Sequence, residues 1–207
     1  MRKEWIISAV LVLTGCGIQH QNVRLSLPSP QVNQPNGKPI VLSSVTDSRG
    51  AHADLKLSAN DRTHNVGGVM RGGSGIAVDL ADTTVTDEMR SVITQSLRGM
   101  GYKVINNSEA TTDTPRVAAD ITKLDASMPM NFFRAMTYSQ KMLADIATNV
   151  TVTSGKATQS FTVSGHGENI YQRVVPENWE VALNRAVADY IKKLQEAMII
   201  ADQSDSK

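Results

Sequence analysis

The chain has 207 residues, and its 21 lysines and arginines nearly balance its 20 aspartates and glutamates, so the formal charge is +1. That balance argues against a nucleic-acid-binding protein, because such proteins normally carry a basic face. The single cysteine, Cys16, excludes an intramolecular disulfide framework and a cysteine-rich metal site. The length fits one ordinary domain.

The N-terminal residues have the composition of an export signal. A short basic start at Arg2 and Lys3 precedes an apolar run over residues 5–13, which is far too short to cross a bilayer as a helix. We therefore predict a signal peptide over residues 1–15, so that the mature chain begins at Cys16. Removal of this signal leaves equal numbers of basic and acidic residues, and so no polybasic patch for anionic lipid is expected.

The residues Leu13, Thr14, Gly15 and Cys16 resemble the lipobox of bacterial lipoproteins. In that family the cysteine thiol receives a diacylglyceryl group, the chain is cleaved before the cysteine, and the new amine is acylated. The resemblance implies a lipid attachment site at Cys16 and a lasting membrane anchor. Because Gly17 follows rather than aspartate, it also implies the outer membrane. The alternative is a chance cysteine in an ordinary secretory signal.

Residues 16–39 are rich in glutamine, asparagine, serine and proline, and we expect an acylated cysteine followed by a flexible tether. Within this segment, the alternation of Val23–Leu27 predicts a short strand. The β-rich run Ile40–Val45 predicts another. The glycine-rich segment Gly67–Gly75 lacks the Gly-Lys-Ser/Thr of a phosphate-binding loop, so a flexible surface loop is expected.

Two segments have the apolar spacing of amphipathic helices. Val85–Met100 is apolar along one helical face, and Thr84 or Thr86 can cap its start. Asn178–Ile199 predicts a second helix of about five turns, with Pro176 suited to its first turn.

Four further segments predict strands. Tyr102–Ile105 follows the first helix, and Arg116–Leu124 is β-like after a proline. Lys141–Thr153 alternates strictly, and Ala157–His166 follows it after a plausible turn. These last two segments predict a β-hairpin.

The order of these elements predicts an α+β fold. We expect a mainly antiparallel sheet of four to five strands, with two amphipathic helices packed on one face. The predicted organisation is a single periplasmic domain over residues 40–201, followed by a polar tail over residues 202–207.

The mature chain also resembles the YajG-type family of uncharacterised bacterial outer-membrane lipoproteins. Besides the lipobox, the resemblance is carried by Val23–Leu27, Thr46–Arg49, Gly99–Val104, Lys141–Asn149 and a final helix with Asn184 and Ala188. It implies a location and a fold but no reaction, because no reaction is established for that family. The segments Gly67–Gly75 and Met128–Tyr138 depart from the pattern, since they look longer or more apolar.

Residues that could carry chemistry are scattered. The four histidines, His20, His52, His64 and His166, have no helix-face spacing, so solvated residues are favoured over metal ligands. Paired carboxylates and nucleophile motifs cannot be placed, and neither a cofactor nor a metal is predicted. Asp47 and Arg49 lie at the end of the second predicted strand and could bind a ligand. More often such a pair connects a strand to its turn or to a helix end.

The segment Met128–Tyr138 is unusually apolar for a connection between strands. Its apolar residues either cover the core as a lid or contact a partner or membrane. The residues concerned are Met128, Met130, Phe132, Phe133, Met136 and Tyr138.

These observations predict a non-enzymatic, lipid-anchored envelope lipoprotein that acts through protein–protein contacts in the periplasm. Its expected partners are the membrane, through N-terminal acyl chains, and an envelope protein. The alternative is an accessory subunit of an envelope transport or assembly machine. A periplasmic hydrolase or ligand-binding protein is a third possibility, which lacks an assembled acid, base or nucleophile.

Overall fold

The computed structural model describes residues 17–27, 29, 37–50, 59–71, 74–129, 139–155 and 157–204. Eight strands are present: β1 Ile18–Val23, β2 Pro39–Asp47, β3 Asn65–Arg71, β4 Ser74–Leu80, β5 Lys103–Ile105, β6 Arg116–Ser127, β7 Gln140–Ser154 and β8 Ala157–Tyr171. The described α-helices are α1 Ala59–His64, α2 Val85–Gly99 and α3 Pro176–Ser204, and a 3-10 turn covers Asn107–Glu109.

The strands form one mixed sheet that divides at β6. Along one edge of β6 lie β7 and then β8, both antiparallel to their neighbours. Along the other edge, the first half of β6 pairs with β2 and its end pairs with β3, in both cases parallel. Strand β5 continues the first branch, and β4 and β1 continue the second.

The predicted fold class is therefore wrong. The sheet has eight strands rather than four or five, and four of its seven strand pairings are parallel. The described chain also contains three α-helices rather than two. The parallel pairings arise because long connections, such as the one containing α2, return the chain to the same end of the sheet.

The glycine-rich segment is a β-hairpin, so its prediction as a surface loop is also wrong. Residues 65–71 and 74–80 form β3 and β4, which pair antiparallel. Gly67 has a φ angle of +127°, and a Cβ atom there would lie 2.2 Å from the carbonyl oxygen of Ala126. A glycine is needed at this position because β3 and β6 approach each other closely.

The predicted helices are both confirmed. Thr84 is the N-cap of α2, and its side chain accepts a hydrogen bond from the backbone N–H of Asp87 at 3.1 Å. The buried face of α2 consists of Val85, Met89, Val92, Ile93, Ser96 and Leu97. Helix α3 begins at Pro176 and packs mainly against β8 and β7. The core-facing side chains of α3 are Trp179, Ala182, Leu183, Ala186, Val187, Tyr190, Leu194 and Met198.

The N-terminal strand lies earlier than predicted. β1 ends at Val23 rather than beginning there, and it pairs with β4 in parallel. The backbone N–H of Arg24 donates to Glu180 of α3 at 2.8 Å, and that of Ser26 donates to Asn184 of α3 at 2.8 Å. Residues 17–27 are therefore attached to the folded domain along β4 and α3.

The strand registers define two ends of the molecule. At the N-terminal pole, the start of β1 lies beside the start of β4, and the end of β8 lies beside the start of β7. At the distal pole lie the starts of β2, β6 and β8, the end of β7 and the C-terminal end of α3. The 15 residues of β8 run between these poles, a length of about 45 Å at roughly 3.3 Å per residue.

Candidate functional site

A cavity of about 490 Å³ lies at the distal pole. This volume is within the range of pockets that hold small molecules or inserted side chains. The described residues that line it come from five separate parts of the chain: Lys38, Pro39 and Ile40; Tyr102; Thr111, Asp113, Thr114 and Pro115; Val152, Ser154 and Gln159; and, in the last turns of α3, Met198 and Ala201.

Backbone hydrogen bonds hold the entrance of this distal cavity in place. The carbonyl oxygen of Lys38 accepts from the N–H of Lys103 at 3.0 Å, and the N–H of Val41 donates to the carbonyl of Pro115 at 2.9 Å. These bonds join β2 and the residue before it to β5 and to the residue before β6. The sheet therefore forms one part of the cavity wall.

A compact turn forms the side of the entrance near Asp113. The N–H of Thr111 donates to the Thr114 hydroxyl oxygen at 2.9 Å, and the N–H of Thr114 donates back to the Thr111 carbonyl at 3.3 Å. These reciprocal bonds satisfy backbone groups that would otherwise face the cavity. The turn therefore presents a fixed wall to any occupant.

The cavity combines an apolar interior with a polar rim. Ile40, Tyr102 and Met198 are buried in its wall, whereas Lys38 and Asp113 provide one charge of each sign at the entrance. Such a lining can hold an apolar side chain or the apolar part of an amphiphile. The polar side chains of the lining are those of Lys38, Tyr102, Thr111, Asp113, Thr114, Ser154 and Gln159.

Two large apolar side chains are exposed near the end of α3. Ile199 is 51% exposed and Ile200 is 67% exposed, and they project from a different side of the helix than Met198 and Ala201, which line the cavity. Sequence reasoning followed the helical face through Met198 and did not single out these isoleucines. The available signal was the pair of large apolar residues outside that face at the end of the helix.

The predicted lipid-attachment residues Leu13, Thr14, Gly15 and Cys16 lie outside the described residues, and their role stays a prediction. The same holds for Met130, Phe132, Phe133, Met136 and Tyr138. Met128, at the start of the apolar segment, is 5% exposed, and its sulfur accepts a hydrogen bond from the Tyr171 hydroxyl at 3.1 Å. Met128 is therefore part of the core.

A second, smaller cavity of about 270 Å³ lies at the N-terminal pole. The carbonyl of Gly17 accepts a hydrogen bond from the N–H of Gly75 at 3.3 Å, which fixes the start of the described chain at the cavity edge. The lining residues are Gly17, Gln19, Val69, Ser74, Gly75, Ile76, Met128 and Val174.

His166 belongs to a charged cluster on the open face of the sheet. Asp145 accepts from Lys123 at 2.7 Å and lies 2.7 Å from the Nδ1 atom of His166. Partial burial raises the pKa of Asp145, but hydrogen bonds from His166 and Lys123 outweigh it and leave that pKa below its usual value. The backbone N–H of His166 also donates to the carboxylate of Asp189 in α3 at 2.9 Å. The cluster therefore connects neighbouring strands to the helix.

Two of the remaining histidines, His20 and His64, also have partners in the described chain. His20 lies 2.6 Å from the buried carboxylate of Asp79, and His64 contacts the carbonyl of Thr83 at 2.9 Å. His52 lies outside the described residues. Over residues 17–204, as far as they are described, no group of three or more histidines, cysteines, aspartates or glutamates is arranged to hold a metal ion.

Asp47 and Arg49 connect three parts of the fold. The guanidinium of Arg49 donates to both carboxylate oxygens of Asp47 at 2.8 Å, and to the carbonyls of Asn65 and Leu124 at 2.9 and 3.1 Å. Partial burial raises the pKa of Asp47, but the bonds and charge of Arg49 outweigh it and lower that pKa overall. The geometry supports the structural role that sequence reasoning favoured for this pair over ligand binding.

No protein-family model matches this chain, and no curated protein matches its sequence. Among solved structures, it is similar to protein XCC0632 from Xanthomonas campestris of family DUF330, at 17% identity, over 91% of this chain and 98% of that chain, with a TM-score of 0.47. It is also similar to the rare lipoprotein B from Shewanella oneidensis, at 12% identity, over 82% and 99% of the two chains, with a TM-score of 0.45.

A third similar structure is lipoprotein GNA1162 from Neisseria meningitidis, at 7% identity, over 82% of this chain and 99% of that chain, with a TM-score of 0.33. Two of these three proteins are named lipoproteins, and none of the three is described as a YajG-type protein. At these identities and TM-scores, the comparisons assign neither a family nor a function to this chain. In the described part of the chain, no helix is both long and apolar enough to cross a membrane.

Proposed function

We propose that this chain is a lipid-anchored protein of the bacterial cell envelope that binds a protein partner at its distal cavity and catalyses no reaction. The proposed anchor is a diacylglyceryl group on Cys16, supported by the lipobox-like residues Leu13–Gly15. Gly17 after the cysteine supports the outer membrane as the location, with the domain facing the periplasm.

The distal cavity is the observation that carries this proposal. A cavity of about 490 Å³ lies at the pole opposite Gly17, and two exposed isoleucines, Ile199 and Ile200, lie in the last turns of the helix whose inner face lines it. Binding sites for protein partners commonly combine a pocket that receives an apolar side chain with apolar residues around it. The pole farthest from the proposed anchor is also the part of the domain that envelope proteins can reach most freely.

The proposal is tested by photo-crosslinking in cells. A photo-reactive amino acid is placed at Ile200, and a matched one at Ile170, which is similarly exposed at 53% but lies near the N-terminal pole. We expect a discrete protein adduct from position 200 and none of the same mass from position 170. Equal labelling from both positions would contradict a partner site at the distal pole.

A second set of variants tests whether the cavity itself is used. Ala201→Trp places an indole in the cavity from the helix side, and Ser154→Trp places one from the strand side. Both should reduce the adduct from position 200, while circular dichroism confirms that the fold is retained. An undiminished adduct in both folded variants would show that the partner does not use the cavity.

The adduct also separates the two kinds of role expected for an envelope lipoprotein. Recovery of one partner in a fixed ratio supports an accessory subunit of a larger assembly, whereas several substoichiometric partners support looser contacts. Incorporation of radiolabelled palmitate into the wild-type protein but not into Cys16→Ser tests the anchor independently. Failure of the wild type to incorporate palmitate would refute the anchor.

A further inference from the structure

The folded domain begins immediately after the proposed attachment residue. β1 starts at Ile18, and the preceding residue, Gly17, is already hydrogen-bonded through its carbonyl to the N–H of Gly75. Consecutive Cα atoms are about 3.8 Å apart. Because Cys16 is bonded directly to Gly17, a lipid on Cys16 would have no spacer residue between it and the described domain.

The surface at this point is suited to lipid. The cavity of about 270 Å³ beside Gly17 is lined by eight residues, none of which carries a charge. Val69, Ile76 and Val174 are half-buried there, and Met128 forms part of the wall. A cavity lined by apolar side chains gains stability when hydrocarbon covers it.

The polar groups at the same cavity suit the ester groups of a lipid anchor. The polar side chains in this lining are those of Gln19 and Ser74, and the amide group of Gln19 can donate a hydrogen bond to an uncharged ester oxygen. A diacylglyceryl group has such oxygens next to the start of its acyl chains. The lining therefore fits an uncharged glyceryl ester with attached hydrocarbon better than a charged ligand.

We propose that the diacylglyceryl group on Cys16 packs against this N-terminal cavity, so that the N-terminal pole lies directly on the bilayer. This inference depends on the proposed lipid anchor and adds to it a fixed orientation. The domain stands on the membrane by the pole that contains Gly17 and Met128, and the distal cavity points away from the membrane. A mobile tether of the kind predicted for residues 16–39 would instead let the domain rotate and change its height.

The single cysteine makes the orientation measurable. Because the lipid occupies Cys16, a second cysteine introduced elsewhere is the only thiol that a fluorophore can label. We place it at Gln19, exposed at the N-terminal pole, or at Ala157, exposed at the distal pole. The lipidated, full-length proteins are reconstituted into vesicles of phosphatidylethanolamine and phosphatidylglycerol that contain a lipid-attached quencher.

We expect the label at position 19 to be quenched several-fold more than the label at position 157. A spacer of about ten glycine and serine residues between Cys16 and Gly17, which adds a mean reach of about 17 Å, should remove most of that difference. Ile76→Asp places a charge in the cavity, and it should also reduce quenching at position 19. The matched variant Ile170→Asp, at an exposed site that does not line the cavity, should leave the quenching unchanged.

The outcomes separate this inference from the proposed function. If no palmitate enters the wild-type protein, the lipid anchor itself is refuted, and this inference is refuted with it. If palmitate enters but both labels are quenched equally, or the spacer has no effect, the anchor stands and the fixed orientation is overturned. If Ile76→Asp and Ile170→Asp behave alike, the cavity does not receive the lipid.

Discussion

Replacement of Gly167 by alanine tests how closely α3 lies on the sheet. A Cβ atom at this position of β8 would lie 2.1 Å from the carbonyl oxygen of Ala182 and 2.5 Å from the backbone nitrogen of Ala186. Both atoms belong to the backbone of α3, so neither can rotate away. We expect Gly167→Ala to force the helix off the strand.

The size of the effect follows from these distances. Ordinary contacts of a Cβ atom begin at 3.4 Å, so the 2.1 Å contact requires a withdrawal of about 1.3 Å. Overpacking of a core typically costs about 1–3 kcal/mol, and we expect the upper end because the helix must move as a unit. For a domain of this size, that corresponds to a decrease in the thermal midpoint of about 6–12 °C.

The measurement is urea denaturation followed by circular dichroism, in a Cys16→Ser background that keeps the compared proteins free of lipid. Gly50→Ala is the matched control, because a Cβ atom there meets nothing within 4 Å. This control should change the free energy of unfolding by less than about 0.5 kcal/mol. If Gly167→Ala were as stable as Gly50→Ala, α3 would not pack on β8 at the distance described.

Three further predictions concern buried polar contacts. The hydroxyls of Thr148 and Tyr190 are 2.8 Å apart and buried, so Thr148→Val or Tyr190→Phe alone should lower the free energy of unfolding by about 1–3 kcal/mol. Denaturation of the double variant should show a loss well below the sum of the two single losses. Additive losses would contradict this coupling. Arg49→Met should cost about 3 kcal/mol, because it removes the guanidinium donors of the partly buried Asp47 carboxylate and of two backbone carbonyls. A denaturation midpoint equal to that of the wild type would contradict this prediction. The pKa of Asp47 is lower in the folded than in the unfolded protein, so the unfolded chain binds more protons in acid, and stability should fall as the pH decreases below about 4. Thermal midpoints measured between pH 6 and 2.5 should fall less steeply for Arg49→Met than for the wild type. Parallel curves would refute the assignment of this pH dependence to the Asp47–Arg49 pair.

Local patterns were sufficient for the helices and for the long hairpin. The apolar residues of α2 and α3 recur at helical spacing, and the cap at Thr84 depends only on residues within one turn. The alternation in β7 and β8 likewise reflects one buried and one open face of the same two strands. In these elements the neighbours in sequence are also the neighbours that determine the structure.

The sheet as a whole could not be predicted in the same way, because strand pairing depends on residues far apart in the chain. β3 illustrates this, since its glycines favour a loop by composition. Contact with β6 overrides that preference: Val66 is fully buried, and Gly67 lets the backbone approach Ala126. The parallel pairings similarly depend on where long connections return the chain, which no short pattern records.

The distal cavity was also beyond local reasoning. Its lining comes from five segments, between Lys38 and Ala201, that only the fold brings together. Each lining residue taken alone is ordinary for its element: Ile40 in a strand and Met198 on a helix face are typical core residues. Ile199 and Ile200 are exposed near the end of the same helix, but they are not among the lining residues and do not by themselves predict a cavity.

Residues 17–27 show why polar composition did not distinguish a tether from a strand. Residues 17–27 are mostly polar, but their polar groups have partners in α3: the Gln21 side chain accepts from the indole N–H of Trp179 at 3.0 Å, and the Ser26 N–H donates to Asn184. The helix that holds this segment also ends at the distal cavity, where Ala201 forms part of the wall. In the proposed arrangement, the anchor and the partner site are therefore connected by one rigid helix and one strand. A partner bound at the distal pole would be held about 45 Å from the bilayer surface, at a height that only a spacer after Cys16 or disruption of the β1–α3 contacts could change.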